Sequence, residues 1–238
     1  MTPCFLSWSG GKDASMALFA LQKKGEFRVH SLLTTLSKDH QRVSMHGVRE
    51  SILNAQAEAL GIPLKKVFLP ASTDHDAYNS IMKDVMHGFR EEGILHGAFG
   101  DLFLEDLRKF REEKMLAAGM QAVFPVWQAD TTAFAKDVIQ AGFKAVVVCV
   151  NGDKLPREFS GRDYDQSFLN DLPADVDPCG ENGEFHTCVV DGPVFKHPVD
   201  FEKGEVVCKT YQRPAGSDDP GPEQIPFWFC DLLPGKSF

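Results

Sequence analysis

The segment Trp8-Ser9-Gly10-Gly11-Lys12-Asp13-Ala14-Ser15-Met16 decides how this chain begins to fold. An apolar run from Phe5 precedes it and suits a buried strand, and the run that follows it as far as Leu21 suits a helix. Glycines at this junction let backbone N–H groups approach an anion, and the new helix adds the positive end of its dipole. Lys12 supplies a mobile cation for phosphate, and Asp13 can cap the helix or help to hold a metal ion. The segment therefore predicts a phosphate-binding site.

A second interpretation of the same segment is a tight turn followed by a helix cap. Its place near the start of a chain that then alternates strand and helix favours the phosphate site. The segment matches neither the dinucleotide motif with three spaced glycines nor the Gly-x-x-x-x-Gly-Lys-Ser/Thr motif. Its Ser-Gly-Gly-x-Asp core instead resembles the pyrophosphate loop (PP-loop) of the ATP pyrophosphatases. That resemblance implies an enzyme that splits ATP between the α and β phosphates and transfers AMP to a substrate oxygen.

Composition limits the class of protein. The chain has 238 residues, of which 43% are hydrophobic and 25% are charged, enough for one large domain or two small ones. Its net charge of −9 argues against non-specific nucleic-acid binding, so we expect no nucleic-acid partner. The six cysteines form no Cys-x-x-Cys pair, and several lie in apolar runs, which is typical of reduced thiols in a cytoplasmic protein. No leader peptide and no apolar stretch of membrane-spanning length are evident, so we expect no membrane partner.

Strand and helix patterns alternate over the first half of the chain. This alternation predicts an α/β fold with a parallel five-stranded sheet covered on both faces. Ligands of such sheets bind beyond the carboxyl ends of the strands. The glycine loop, Thr34-Thr35 and Gly100-Asp101 all fall at that edge, so three segments converge on one candidate site. The predicted strands are 5–8, 27–36, 66–69, 95–99 and 122–124, and the predicted helices after the first are 47–60, 74–91 and 104–118.

The pattern changes after Trp127. A helix (132–141) and an apolar strand (145–150) come first, and turn residues then dominate, with β segments at 185–190 and 205–211 and a loop at 213–224. The apolar cluster 227–229 favours packing inside the protein. We therefore predict two domains, 1–126 and a smaller α+β domain at 127–238.

A second cluster of chemically active residues spans Asp177 to Thr187, where carboxylates, an amide, an imidazole and a hydroxyl lie among two glycines. Glu181, Glu184 and His186 could orient an ammonium ion, hold a metal or act as acid and base. A glycine-rich hairpin turn with solvated carboxylates explains the composition as well. A zinc site built from Cys179, His186 and Cys188 would need a fourth ligand that the sequence does not supply.

The two motifs together resemble the diphthine–ammonia ligase family, also called the ATP-binding domain 4 family. The resemblance rests on the glycine loop, Gly100-Asp101, the segments 124–127 and 179–187, and Pro193 to Lys196, so it covers the chain from about 5 to 196. It implies a Rossmann-like domain of the adenine nucleotide alpha hydrolase (HUP) type at 1–126 and an acceptor-binding domain at 127–238. It also implies a reaction: a substrate carboxylate attacks the α phosphate of ATP, and ammonia then displaces AMP to form an amide.

The resemblance assigns roles to particular residues. It implies nucleotide contacts from Ser9, Gly10, Gly11, Lys12, Asp13, Ser15, Thr34, Thr35 and Gly100. It implies contacts with acceptor or ammonia from Glu181, Asn182, Gly183, Glu184, His186 and Thr187. Asp13 and Asp101 are the expected Mg²⁺ ligands, and the expected catalytic residues are Lys12, Asp13, Asp101, Glu181 and Glu184.

Two departures from the family pattern affect these expectations. Ala14 stands where the loop usually has Ser, so that one phosphate contact is lost or comes from Ser15. Asn182 and His186 replace the Gly and Glu of eukaryotic and archaeal diphthamide enzymes and indicate the bacterial branch. Because bacteria do not make diphthamide, we expect a different small-molecule carboxylate acceptor there, with a corrinoid side-chain acid as one candidate.

Alternatives to the ligase are a tRNA-modifying enzyme of the same superfamily and a non-catalytic nucleotide-binding protein. Ala14 allows the second, although the Glu/His/Thr motif has little purpose in a pure sensor. His46, before the helix that follows the second strand, is expected to be a partly exposed turn residue in preference to a ligand contact. A homodimer is compatible with the sequence but not specified by it.

Overall fold

The computed structural model describes residues 1–43, 46–70, 73–212 and 223–235, and it has two sheets with helices packed on them. The strands are β1 (Thr2–Ser7), β2 (Phe27–Ser37), β3 (Arg42–Val43), β4 (Leu64–Leu69), β5 (His96–Ala98), β6 (Gln121–Val123), β7 (Lys144–Asn151), β8 (Phe185–Asp191), β9 (Phe201–Gln212) and β10 (Gln224–Pro234). The helices are α1 (Lys12–Lys24), α2 (Glu50–Leu60), α3 (His75–Glu91), α4 (Glu105–Ala117), α5 (Thr131–Gln140) and α6 (Gln166–Asp171).

The first sheet has the parallel core that the sequence predicts. Its five parallel strands lie in the order β4-β2-β1-β5-β6, and the short β3 is added antiparallel to the end of β2. Strand order reverses between β1 and β5, which is the position where sheets of this topology bind ligands. The α/β Rossmann-like fold class is therefore confirmed. The sheet has six strands and not five, because the two residues of β3 follow a turn after β2 and pair antiparallel with its end.

Local sequence explains where the main elements begin and end. Helix α1 starts after Gly11, which is extended, and ends at Gly25, which is left-handed at φ 69° and donates its N–H to the carbonyl of Leu21. Asp74 caps α3 by accepting from the N–H of Ala77. Helix α2 begins at Glu50, three residues later than predicted, because Gly47 takes φ 70° and packs against the ring of Phe229.

The second sheet is antiparallel, in the order β8-β7-β10-β9. Its central strand β7 is buried from Ala145 to Val150. Strand β10 contains the 227–229 cluster, which the sequence predicts to be packed but not to be a strand. The predicted loop 213–224 lies mostly outside the described residues, and the boundary at 126 stays a prediction. One continuous cluster of buried apolar side chains runs from Leu6 and Leu18 to Val147 and Val189, so both sheets contribute to it. Among the described residues, no helix has the length and apolarity that crossing a membrane requires.

Candidate functional site

A cavity of about 310 Å³ opens at the carboxyl ends of β1 and β5, where the strand order reverses. The loop after β1, the loop after β5, the first half of α4 and the 179–187 motif line it. The predicted site residues among its lining are Ser9, Lys12, Asp13, Gly100, Asp101, Glu181, Gly183, His186 and Thr187. Two motifs from distant parts of the chain thus meet in one cavity.

The glycine loop is joined to β8 by backbone contacts. The carbonyl of Gly10 accepts from the N–H of Val189 at 2.8 Å, and the N–H of Lys12 donates to the Thr187 hydroxyl at 3.1 Å. Gly10 is left-handed at φ 82°, and a Cβ at Gly11 would lie 3.1 Å from the Thr187 carbonyl oxygen. The left-handed backbone favours glycine at Gly10, and a side chain at Gly11 would crowd β8, a contact that sequence reasoning did not anticipate.

Gln56 of α2 fixes this junction and was also missed. Its amide accepts from the Trp8 indole N–H at 2.9 Å and donates to the carbonyls of Gly10 at 3.0 Å and Val189 at 2.6 Å. The side chain is fully buried. A glutamine within a helix that otherwise follows the 3.6-residue pattern gives no signal of such a role, since its partners lie 46 or more positions away in the chain.

Lys12 brings a buried positive charge to the cavity. Its Nζ lies 2.9 Å from one carboxylate oxygen of Asp13 and 3.1 Å from the other, and it donates to the carbonyl of Cys179. Burial disfavours the ammonium, but the charge and hydrogen bond of the adjacent Asp13 carboxylate favour it, and the pKa of Lys12 lies above its ordinary value. Lys12 therefore stays charged.

The carboxylates near Lys12 differ in their surroundings. Burial, with the charges of Asp13, Asp177 and Asp101, raises the pKa of Glu181 to about 8, although Lys12 opposes this. Asp101 accepts from the Nε of Arg111 at 2.5 Å and from its Nη2 at 3.2 Å. A mainly protonated Glu181 can donate a hydrogen bond at neutral pH, whereas Asp101 is neutralised by its own arginine.

These oxygens suit a magnesium ion that arrives with a nucleotide. Asp13 Oδ1 is shielded from solvent and has the 2.9 Å ion-pair contact with Lys12 but no hydrogen bond of good geometry, so it can accept a further ligand. Within the described ranges no group of three or more His, Cys, Asp or Glu side chains is arranged to hold a metal alone. Mg²⁺ is ordinarily held by one or two carboxylates together with phosphates and water, so Asp13 and Asp101 remain compatible with it.

Zinc is a poorer fit to the same region. The thiol of Cys179 donates to the carbonyl of Thr131, and the Sγ of Cys188 accepts from Gln56. Burial raises the pKa of both thiols to about 12, which disfavours the thiolate that zinc binds.

Glu184 lies beneath the loop and not at the cavity wall. Its carboxylate accepts from the backbone N–H groups of Asp177 at 3.0 Å and Asn182 at 2.9 Å, and from the Asn182 amide at 3.1 Å. Neither Glu184 nor Asn182 is among the lining residues of the cavity. The carboxylate thus holds the 177–184 turn in shape, and its expected contact with the acceptor stays a prediction.

His46 and His186 form a stacked pair in the cavity. Their ring centroids are 4.3 Å apart with an interplanar angle of 23°, and both rings line the cavity. Burial and the charge of Lys12 lower the pKa of His46 to about 4, and burial with the neighbouring His46 lowers that of His186 well below its ordinary value. The Nδ1 of His46 is shielded from solvent without a hydrogen-bond partner. His46 is a partly exposed turn residue, as the sequence predicts, and its ring also lines the cavity, which the sequence did not favour.

The remaining predicted nucleotide residues lie outside the cavity lining. Thr34 and Thr35 stand inside β2, opposite Lys66 and Val67 of β4, because the strand continues to Ser37. Gly10, Gly11 and Ser15 form the frame of the loop, where the Ser15 hydroxyl donates to the carbonyl of Gly11 at 2.9 Å.

Comparisons with known proteins agree with the two motifs. The family model "Diphthamide synthase N-terminal domain" matches residues 4–121, and "Diphthamide synthase C-terminal domain" matches residues 130–213. The diphthine–ammonia ligase of Danio rerio is 25% identical over 221 residues, which cover 84% of this chain and 86% of that protein. The diphthine–ammonia ligase of Homo sapiens is 24% identical over 232 residues, covering 81% and 85%.

A solved structure described as a predicted subunit of tRNA methyltransferase from Methanocaldococcus jannaschii has 15% identity and a TM-score of 0.43, covering 80% of this chain and 98% of that chain. At that score the likeness carries no argument about function. The two family models match most of the chain, and this chain therefore belongs to the diphthine–ammonia ligase family, a family of ATP-dependent amide ligases.

Proposed function

We propose that the chain activates a substrate carboxylate with ATP, releasing pyrophosphate, and then converts the acyl-adenylate to an amide with ammonia, releasing AMP. The observation that carries this proposal is the junction of Lys12 with the second motif, through the Thr187 hydroxyl and the Cys179 carbonyl. The Lys12 ammonium, which would bind phosphate, is thereby positioned next to the residues that would bind the acceptor and ammonia. We assign ATP binding to 1–126 and acceptor binding to 127–238.

In the first step, Lys12 offsets the charge of the phosphates while the carboxylate oxygen attacks the α phosphorus. Asp13 and Asp101 would hold Mg²⁺, which would add positive charge between the β1 and β5 loops. A neutral Glu181 would leave the approach of the acceptor carboxylate unopposed, since an ionised Glu181 would repel it.

In the second step, two protons must be removed. Ammonium must lose one proton to become a nucleophile, and the nitrogen loses another after the C–N bond forms and the bond to AMP breaks with its electron pair. Two neutral imidazoles, His46 and His186, line the cavity. We assign them as the proton acceptors, because a base must be neutral to act and Lys12 is charged. The phosphates of bound ATP would offset the charge of Lys12, which helps to lower the pKa of both rings, and would so make the imidazoles stronger bases.

We infer that the acceptor is a small-molecule carboxylate other than diphthine. The relatives are named for diphthine, and the differences that motivate this inference are Asn182 and His186. A corrinoid bearing free side-chain carboxylates is the first candidate. A cytoplasmic setting suits an ATP-using enzyme whose six cysteines are free thiols, five of them buried.

The experiment is incorporation of ¹⁵N-ammonium. The protein, ATP and Mg²⁺ are incubated with a bacterial small-metabolite extract, a corrinoid polyacid or a diphthine-bearing protein, and each mixture is analysed by mass spectrometry. A labelled amide that requires ATP, in the extract or the corrinoid, supports the proposal. Labelling of the diphthine protein alone would overturn the inference on the acceptor, and no labelling in any mixture would count against the ligase reaction.

A further inference from the structure

The two edge strands of the second sheet, β8 and β9, differ in what their outer backbone groups contact. At the β8 edge, the backbone N–H of Val189 is bonded to Gly10 of the glycine loop. At the other edge, the twelve-residue β9 pairs with β10, and no further strand pairs with it within the described ranges. Glu205, Cys208 and Lys209 are exposed there, and Val207 and Tyr211 are about 40% exposed. A long open edge is a template for pairing with another chain.

Backbone geometry tells which groups of β9 point outward. The carbonyl of Pro226 accepts from the N–H of Gly152, so the backbone of Pro226 faces β7 and not β9. Thr210 stands directly opposite Pro226. Since backbone direction alternates along a strand, the N–H and C=O groups of Thr210, Cys208 and Val206 point away from β10.

Only certain registers can then form with a second copy across a two-fold axis. Residues whose backbone groups point away from β10 must lie opposite such residues of the second copy, because only they can form the hydrogen bonds. The two-fold axis therefore passes through the position of one residue and not between two neighbouring residues. An axis at Val207 pairs Val206 with Cys208 and places Glu205 opposite Lys209 twice, once on each side. An axis at Val206 places Lys203 opposite Lys209, and an axis at Lys209 places that lysine opposite itself. Opposite charges across strands stabilise a pair, and like charges destabilise it.

We propose that a second copy of this chain pairs antiparallel along β9 with the two-fold axis at Val207. The two four-stranded sheets then form one continuous sheet. The groove of about 770 Å³ between β9 and the β2–β3 turn, lined by His40, Val207, Lys209 and Tyr211 among others, borders this contact. The odd-numbered side chains of both copies, including the Glu205–Lys209 pairs, share the face of that groove. This surface is independent of the proposed reaction.

Sedimentation over a range of concentrations tests the pairing. We expect the unmodified protein to be a dimer and Lys209→Glu to raise the dimer dissociation constant by at least about tenfold, because it places two acidic side chains opposite each other twice. Glu205→Lys combined with Lys209→Glu should restore the dimer, because the pairs are re-formed with reversed signs. Lys154→Glu, an exposed charge change distant from β9 in the sequence, is the control.

Cross-linking tests the register. Val207→Cys in a Cys208→Ser background should form an intermolecular disulfide under mild oxidation, since Cα atoms of such a non-hydrogen-bonded pair lie about 4.5 Å apart. A monomer at every concentration would overturn the proposal. Three results would overturn this register: a dimer that Lys209→Glu leaves intact, a double charge reversal that fails to restore the dimer, or a cross-link that forms through the native Cys208 but not in the Val207→Cys variant.

Discussion

The His46–His186 pair shows how much of this site depends on two side chains far apart in the sequence. Each ring is kept neutral by burial and by the charge of Lys12, and each is placed by a different motif. Both rings are therefore neutral at pH 7 and free to accept a proton, and nucleotide phosphates beside Lys12 would raise their pKa towards the working pH.

Hydroxylamine separates removal of the first proton from positioning, because it is already a neutral nucleophile at pH 7. The proton that its nitrogen releases after the C–N bond forms is acidic enough to pass to water. We expect His186→Gln or His46→Gln to lower ammonium-dependent turnover about 100-fold, the size typical of lost general-base catalysis, and to leave hydroxamate formation from hydroxylamine within a few-fold of the unmodified protein. The measurement is the amide and hydroxamate yield from the same acceptor mixture. Equal loss with both nucleophiles would mean that the pair serves only to shape the cavity.

Sequence reasoning located individual residues only in part. Lys12, Asp101, Glu181 and Thr187 were predicted from motifs and do line one cavity. Glu184 was expected at the same surface, but a carboxylate surrounded by turn amides is drawn to them, and a motif does not say which of its side chains turn inward. His46 could not be assigned, because its partner His186 belongs to a distant motif.

At the scale of elements, the glycine loop is stable only together with α2 and β8. Gln56 connects all three through one buried amide. The strands and helices around it were predictable from their hydrophobic periods, and the parallel sheet is confirmed. The strand pairing of β10 was not predictable, because its cluster of aromatics suits a packed segment of any kind.

Gln56→Leu tests this connection. The substitution keeps the volume but leaves the Trp8 N–H and the Val189 carbonyl without the partner that Gln56 supplies, while the Gly10 carbonyl keeps its bond from the Val189 N–H. Each unpaired buried group costs about 1–3 kcal/mol. We expect the free energy of unfolding to fall by about 3 kcal/mol or more and ATP affinity to fall with it. Denaturant unfolding followed by tryptophan fluorescence, with Gln166→Leu at an exposed position of α6 as control, measures the first effect. A change no larger than that of the control would contradict the role of Gln56.

At the scale of the whole molecule, Asp231 of β10 joins the second sheet to the first. It accepts from Arg42 of β3 at 2.8 Å and from Arg49, before α2, at 2.6 to 3.1 Å. Burial alone would raise the pKa of Asp231, but the hydrogen bonds and charges of the two arginines lower it to about 2. A lowered pKa means that the unfolded chain binds the proton more readily than the folded chain does. The contribution of Asp231 to the free energy of unfolding is therefore fully present at pH values above its ordinary pKa near 4, and it is lost as the pH falls towards 2.

Asp231→Asn should therefore lower the free energy of unfolding at pH 7 by about 1–2 kcal/mol, a figure reduced for the exposure of Arg49. The difference from the unmodified protein should stay constant between pH 7 and about 5 and shrink below about 4. Glu112→Gln, which breaks the exposed pair with Arg108, is the control and should change stability by less than about 0.5 kcal/mol. Denaturant unfolding curves at several pH values measure this difference in the free energy of unfolding. A difference that grows as the pH falls would contradict the prediction that the Asp231 contribution is lost in acid.

The central claim is that ATP binds in the cavity between β1 and β5 and is cleaved there between its α and β phosphates. The most direct measurement follows ATP labelled at the α phosphate, with Mg²⁺, ammonium and the acceptor mixture, and identifies the labelled product. We predict acceptor-dependent AMP, lost in Lys12→Gln, which removes the cation but keeps a donor for the Cys179 carbonyl, and kept in Lys154→Gln. Labelled ADP, or AMP that forms equally well without Lys12, would contradict the claim.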